Sequence, residues 1–526
     1  MVSSEPPTRG ISRELLVVLG IAVLGIAFLY EMVTLDAVPV ARDIQLFFLP
    51  HKKVLWRAFQ GGELPLWTPY VKTGYPVLAN FQSGVFYPPH WMYGLLPFLP
   101  AFNLLMVFHL LVGGIGAYCL ARILDVGRIG SLVAGTGFML GGYFVSLTNL
   151  VNHLQTAAWG PFMVAAFIRH TKIWSARSFL LALVVFLLGF LGGAPQTFLL
   201  FSGVAFALAG LRCVEAPKTE MWSASKRLVL AGLGLAAAVA GLTAIQILPT
   251  LEMLEHAARG RGLSLFEAGR YSLSPVRLVH LAVPNSFADP DFGFGKKMQL
   301  TGSAPWLYSI YIGVGVLVLA WHARWRRSQR TRVLFWLFLA VVGVVLGLGK
   351  HLPVFPWLHG NVPGLDAFRF PEKFLALSGL AVPILAAHGT DALLDRPRLD
   401  RVDAVVALAV LLGGFLVKIW WVFAPTSVHH LLSTVSSDAN LLKNFGFGYV
   451  EWGQQIEVTL GTLALSVGLI ILFRKDLLRR KIFVPLLILV VGLDLWIAHR
   501  GLNPTVPPAF YRDQPAVLKQ VPKSEL

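Results

Sequence analysis

Residues 61–89 read GGELPLWTPYVKTGYPVLANFQSGVFYPP. Prolines at 65, 69, 76, 88 and 89 exclude a continuous helix. Trp67, Tyr70, Tyr75, Phe81, Phe86 and Tyr87 make the stretch too apolar for a solvated spacer. Together they predict a stiff amphipathic wall at lipid-headgroup depth, with the neutral amides Asn80 and Gln82 set in it.

The stretch immediately before it, DAVPVARDIQLFFLPHKKVLWRAFQGG, predicts a short helix. Pro50 suits its first turn and Gly61–Gly62 its end. Val54, Leu55, Ala58 and Phe59 would share one face, with Lys52, Lys53 and Arg57 largely on the other. That pattern is expected of a helix lying along a membrane surface. Asp43 opens this unit. An acid there is placed to act on a substrate whose other end stays in the bilayer; capping a helix, or pairing with Arg42 or Lys52, is the ordinary alternative.

The rest of the chain puts this loop on a membrane protein. Of its 526 residues 56% are hydrophobic and 13% charged, with a mean hydropathy of +0.67. Soluble domains carry about 25% charged residues. Apolar runs near the roughly 20 residues that cross a bilayer recur along the chain. They predict an all-α polytopic bundle of about thirteen spans, near 14–34, 101–121, 129–147, 155–169, 178–192, 195–211, 228–248, 305–321, 333–349, 371–388, 403–423, 455–473 and 482–498. The fifth and sixth, separated by GGAPQ, read equally as one broken segment. The transmembrane unit is expected over 1–499, including external loops at about 35–100 and 249–304. Residues 500–526 read as an external tail. Arg9 and Arg13 precede an apolar run too long for the usual signal-peptide core, which predicts an uncleaved anchor.

Lysine and arginine orient the bundle. With the N-terminus inside, every short cytoplasmic loop is basic, most strongly RWRRSQRTR (324–332) and RKDLLRRK (474–481). These clusters account for much of the formal charge of +17 and face anionic lipid, so nucleic acid is not an expected partner. The expected location is a bacterial plasma membrane, with function on the external face. Cytoplasmic loops of this size leave no room for a nucleotide-binding domain, and no phosphate-binding glycine motif occurs in a strand–helix context. Cys119 and Cys213 have no metal-like spacing, so neither a disulfide nor a zinc site is expected. NSFADPDFGFG (285–295) carries Asp289 and Asp291 and reads as a surface turn rather than a calcium site.

In this order the pieces RDIQLFFLP, GELPLWTPYVKTGYPVLANFQSGVFYPP, HLQTAAWGPF, GGAPQTF, IQILPTLEML, YSLSP, IYIGVGVL, FRFPEKF and LDLW resemble the bacterial membrane protein YfhO family. That family is related to membrane glycosyltransferases of the GT-C type. The resemblance implies an external acid in the first loop, an inverting mechanism and a polyprenyl-phosphate sugar donor. The acceptor would be an envelope polymer, lipid or protein. Many GT-C enzymes carry two adjacent acids here, but Ile44 follows Asp43. No cofactor is indicated; a divalent metal is left open by the resemblance, without paired acids to hold it.

Such a transfer needs a base, cations for the departing phosphate and a wall for sugar and lipid. Asp43 is the expected general base. Arg369 and Lys373, in FRFPEKF at the external start of a span, are the expected cations, with pairing to Glu372 the alternative for Arg369. His153, Gln155, Gln196, Gln246 and Glu252 are polar groups near the outer surface, where an external cavity would explain them; helix–helix hydrogen bonding would too. Trp67, Tyr70, Asn80, Gln82 and Tyr87 are expected to line or border that cavity. A flippase of lipid-linked saccharide and a non-catalytic envelope scaffold are the rival readings.

Overall fold

The computed structural model describes residues 7–40, 42–70, 73–257, 262–284, 305–395, 401–423, 427 and 439–513. Asp289 and Asp291 lie outside them. The architecture is helical. Among the described residues, eight helices are long and apolar enough to cross a membrane: Phe98–Ile123, Arg128–Asn149, Pro195–Glu215, Lys218–Leu242, Arg327–Gly347, Pro371–Asp395, Gly453–Arg474 and Arg480–His499. Shorter apolar helices include Ala176–Leu191. The chain is a multi-pass helical membrane protein.

The helix boundaries refine the hydropathy reading at several places. Residues 178–192 and 195–211 are two helices, separated at Gly192–Ala194 with Pro195 opening the second. The run 228–248 is interrupted at Thr243, and a separate helix Ala244–Glu255 follows. The run 305–321 is not a helical span. Only Val314–His322 is helical, and the buried backbone before it bonds to neighbouring elements instead. Gly142 N donates to Tyr311 O at 2.8 Å and Ile312 N to Leu281 O at 3.1 Å. Ser146 Oγ donates to Ser309 O at 2.9 Å. Asp494 closes the arrangement by accepting from Tyr311 Oη at 2.6 Å and Gly315 N at 3.2 Å. Its carboxylate thus satisfies the first turn of the short helix. Hydropathy averages over such a segment; only partners distant in sequence make irregular backbone tolerable at depth.

Small residues let the central helices approach closely. A Cβ on Gly389 would lie 1.7 Å from Leu319 O, so Pro371–Asp395 and Val314–His322 meet backbone to backbone there. The C-terminal segment returns to the first loop. Val38–Pro39 pairs antiparallel with Thr505–Val506, and Tyr511 Oη donates to Pro39 O at 3.0 Å.

Candidate active site

The proline-rich loop is held by hydrogen bonds from beneath. Helix Leu49–Gln60 carries Leu49, His51, Lys52 and Leu55 on its buried side. Lys53 and Arg57 are exposed, but Lys52 is fully buried. This corrects the amphipathic reading. The helix packs under the loop, and Lys52 lies three residues before Leu55 and four after Phe48, on the inward stripe. Its Nζ donates to Gln82 O at 3.0 Å and Ser83 O at 2.7 Å. Burial lowers its pKa to about 7.

Two histidines absent from the sequence reading complete the support. His90 Nδ1 donates to Gly84 O at 2.7 Å, and its Nε2 accepts from Gln155 Nε2 at 2.7 Å. Burial, with the nearby Lys52 charge, pushes the His90 pKa well below its ordinary range, which suits this neutral tautomer. Tyr87 Oη sits 2.6 Å from His109 Nε2 and accepts from Trp159 Nε1 at 2.7 Å.

Above this platform lies a cavity of about 1610 Å³. Drug-sized ligands occupy roughly 300–1,000 Å³, so it has room for a larger substrate or for two. Its apolar wall includes Phe47, Phe48, Leu66, Phe190, Ile247 and Leu254. Of the residues singled out from sequence, Asp43, Trp67, Asn80, Gln82, His153, Gln196, Glu252, Arg369 and Lys373 all line it. They come from five separate parts of the chain.

Asp43 is exposed at the start of the π-helical turn Ile44–Phe48 and makes no capping bond. Its neighbour Arg42 points elsewhere: Nη1 donates to Pro305 O at 2.8 Å, and the guanidinium lies 5.0 Å from the Tyr308 ring centre. Arg369 stacks 4.3 Å from the Phe370 ring centre, and Lys373 Nζ lies 5.2 Å from the same centre. Phe370 has φ of 71°, a left-handed conformation uncommon for a bulky residue. Lys373 Nζ also donates to Gln196 Oε1 at 3.1 Å and lies 5.6 Å from the Trp306 ring centre. His153 pairs with Thr197 Oγ1 at 2.8 Å and meets Trp306 edge to face at 4.9 Å.

Glu372 does not pair with Arg369. It forms a buried ion pair with Arg277 at 2.5 Å and accepts from Leu307 N at 2.8 Å, while Arg277 Nη2 donates to Leu307 O at 2.7 Å. Arg42, Arg277 and Glu372 therefore grip the backbone at 305–307 and hold Trp306 in the cavity wall. The sequence reading passed over Arg277. Its partner is far away in the chain, and a single arginine in a loop carries no local signal.

Four residues expected in the cavity are elsewhere. Tyr70 is exposed outside it. Tyr87 and Gln155 are buried in the platform, where their polar ends are taken by His109, Trp159 and His90. Gln246 lies behind the wall, donating to Leu78 O at 2.6 Å, and Thr250 beside it donates to Ala79 O at 2.7 Å. Each bond satisfies a buried loop group that would otherwise be orphaned. Among the described residues no group of three or more His, Cys, Asp or Glu side chains is arranged to hold a metal ion.

Fold and site define a helical membrane protein with a large mixed polar–aromatic cavity at one end of the bundle. No family model matches the chain, and no curated protein matches it. Among solved structures it is similar to ArnT from Cupriavidus metallidurans, crystallised bound to undecaprenyl phosphate. That similarity covers 92% of this chain and 76% of that one, at 12% identity and a TM-score of 0.44.

Proposed function

We propose that this chain is a YfhO-like glycosyltransferase of the GT-C type, moving a sugar from a polyprenyl-phosphate carrier to an envelope acceptor with inversion. The observation that carries the reading is the convergence of one exposed carboxylate and two cations on a single large cavity with aromatic walls. Asp43 takes the acceptor hydroxyl proton as its oxygen attacks the anomeric carbon. Arg369 and Lys373 stabilise the phosphate as the glycosidic bond breaks, Arg369 by two parallel hydrogen bonds. The apolar wall accommodates the first isoprenyl units. Among the described residues Asp43 has no hydrogen-bond partner, which leaves it available to an acceptor.

The cavity is external and the membrane is the bacterial plasma membrane, in keeping with the basic loops at the opposite end. A flippase would favour sites at the bilayer midplane formed by broken helices. Here the polar lining comes from loops and helix ends, which favours transfer chemistry.

The test is incubation of purified protein with a panel of polyprenyl-phosphate sugars, with and without EDTA, reading sugar transfer or release. Turnover of one donor supports the reading. Binding without turnover across the panel and a range of acceptors would shift it to the flippase. Labelling of Glu63→Cys from outside intact cells, in a chain lacking Cys119 and Cys213, checks the orientation.

A further inference from the structure

Three amide side chains on the cavity wall each have one end committed to the protein. Lysine and backbone N–H groups only donate, and a carbonyl only accepts, so the free end of each amide is fixed. Gln196 Oε1 accepts from Lys373 Nζ at 3.1 Å, which leaves its NH₂ group free. Asn80 Oδ1 accepts from Gln82 N at 3.0 Å, which again leaves NH₂. Asn152 is reversed: its Nδ2 donates to Gly193 O at 3.0 Å, and Oδ1 remains. Asn80 is 7% exposed, yet its Nδ2 has no hydrogen-bond partner. A buried donor left unmade is costly unless something supplies an acceptor.

These amides belong to one wall. Gly193 has φ of 92°, and a Cβ there would lie 2.6 Å from Phe81 O and 3.3 Å from Gln82 Cα. The residue that accepts from Asn152 therefore presses directly on the turn that Asn80 caps, and Gln196 follows three residues later in the same helix start.

We propose that Asn80, Asn152 and Gln196 form a recognition subsite for the sugar ring, selecting an uncharged, hydroxylated ring over an acidic one. Two free NH₂ groups and one free carbonyl suit hydroxyls, which both donate and accept. The Asn152 carbonyl has no proton to offer a carboxylate. Lys373 has a second role here as a positioning residue, because its ammonium fixes the orientation of the Gln196 amide. The proposal deepens the glycosyl-transfer reading and rests on it for the identity of the ligand.

The subsite is tested apart from that reading by saturation-transfer NMR on the intact protein in a detergent without a sugar headgroup. The probes are neutral methyl hexosides and the corresponding methyl hexuronic acids. Asn80→Asp is the discriminating variant, because aspartate caps the 81–83 turn as asparagine does but has no NH₂ to present. Wild type should contact at least one neutral glycoside in preference to its acid. Asn80→Asp should weaken that contact about 3- to 10-fold, the value of one hydrogen bond, in a protein that still unfolds in a single cooperative transition. Gln196→Glu, which keeps an acceptor for Lys373 Nζ but has no NH₂ to present, provides the second variant and should weaken the contact likewise. The subsite is overturned if no neutral glycoside binds preferentially, or if both variants bind as wild type does. A parallel measurement with sugar-free polyprenyl phosphate judges the parent reading: its failure to bind while the glycosides bind would sink the donor assignment and leave the subsite standing.

Discussion

The two ends of the bundle are held together by different means. At the end away from the cavity, charge meets charge across loops. Arg122 and Arg128 converge on Glu14, Arg326 on Asp391 and Asp395, and Arg332 on Asp125 and Glu215. At the cavity end a buried lysine donates to backbone carbonyls, neutral histidines and amides support a loop, and Arg277–Glu372 is a deeply buried ion pair. Most of these pairs keep one partner open to water, Arg326–Asp391 being the largely buried one, and exposed pairs tolerate loss because water replaces the missing partner. Buried polar groups do not, because nothing replaces it. The cavity end is thus densely hydrogen-bonded where it supports the site, and it leaves Asp43 without a hydrogen-bond partner among the described residues.

That contrast can be broken most sharply at the carboxylate. Asp43→Asn keeps shape and hydrogen bonding but removes the base. Transfer should fall by about 10²–10⁴-fold, with donor affinity little changed, measured as single-turnover rate and donor binding. Transfer at the wild-type rate would remove Asp43 from the mechanism.

Glu372→Gln tests the buried pair. It strands the Arg277 charge in the interior and should destabilise the protein by about 3–5 kcal/mol, read as a lower thermal midpoint in detergent. An unchanged midpoint would mean that the Arg277–Glu372 charge pair adds nothing to the hold of Arg42 and Arg277 on the 305–307 backbone.

Lys52 supplies a pH test. Its pKa is lowered by burial from 10.5 to about 7, so between those values the unfolded chain binds the proton more tightly than the folded one. Stability should therefore rise from about pH 7 towards pH 10, and the buried-ammonium penalty should be fully present below pH 7. Lys52→Met should flatten this rise in a series of thermal midpoints. It should also cost about 1–3 kcal/mol near pH 8 through the carbonyls left at Gln82 and Ser83. A wild-type profile that falls with pH would contradict the burial of Lys52.

Arg332→Gln at the opposite end should change stability least, by about 0–1 kcal/mol, because Asp125 is 70% exposed and Glu215 30%. A loss as large as that from Glu372→Gln would erase the distinction between the two ends.

Local patterns were legible in the sequence. Apolar runs marked most of the helices, and proline with aromatics marked the first loop as a non-helical wall. Nine of the chosen site residues line one cavity. Helix phase misled for Lys52, which its neighbours Lys53 and Arg57 made look solvated. Exposure misled for Tyr70, and residue type alone for Tyr87, Gln155 and Gln246, since a polar group near the surface serves a site and a scaffold equally well. His90, His109 and Arg277 gave no signal, because their roles lie wholly in partners remote in the chain.

By itself the sequence determined that the chain enters a membrane as helices and that proline and glycine break the run at GGAPQ. Transfer of apolar residues from water and the geometry of proline and glycine are properties of a residue and its near neighbours. Only the tertiary structure decided that 305–313 is irregular, that Glu372 takes Arg277, and which end of each amide faces the cavity. A hydrogen bond or an ion pair has no preferred partner until the fold brings donor, acceptor and charge together and removes the water that would otherwise serve any of them.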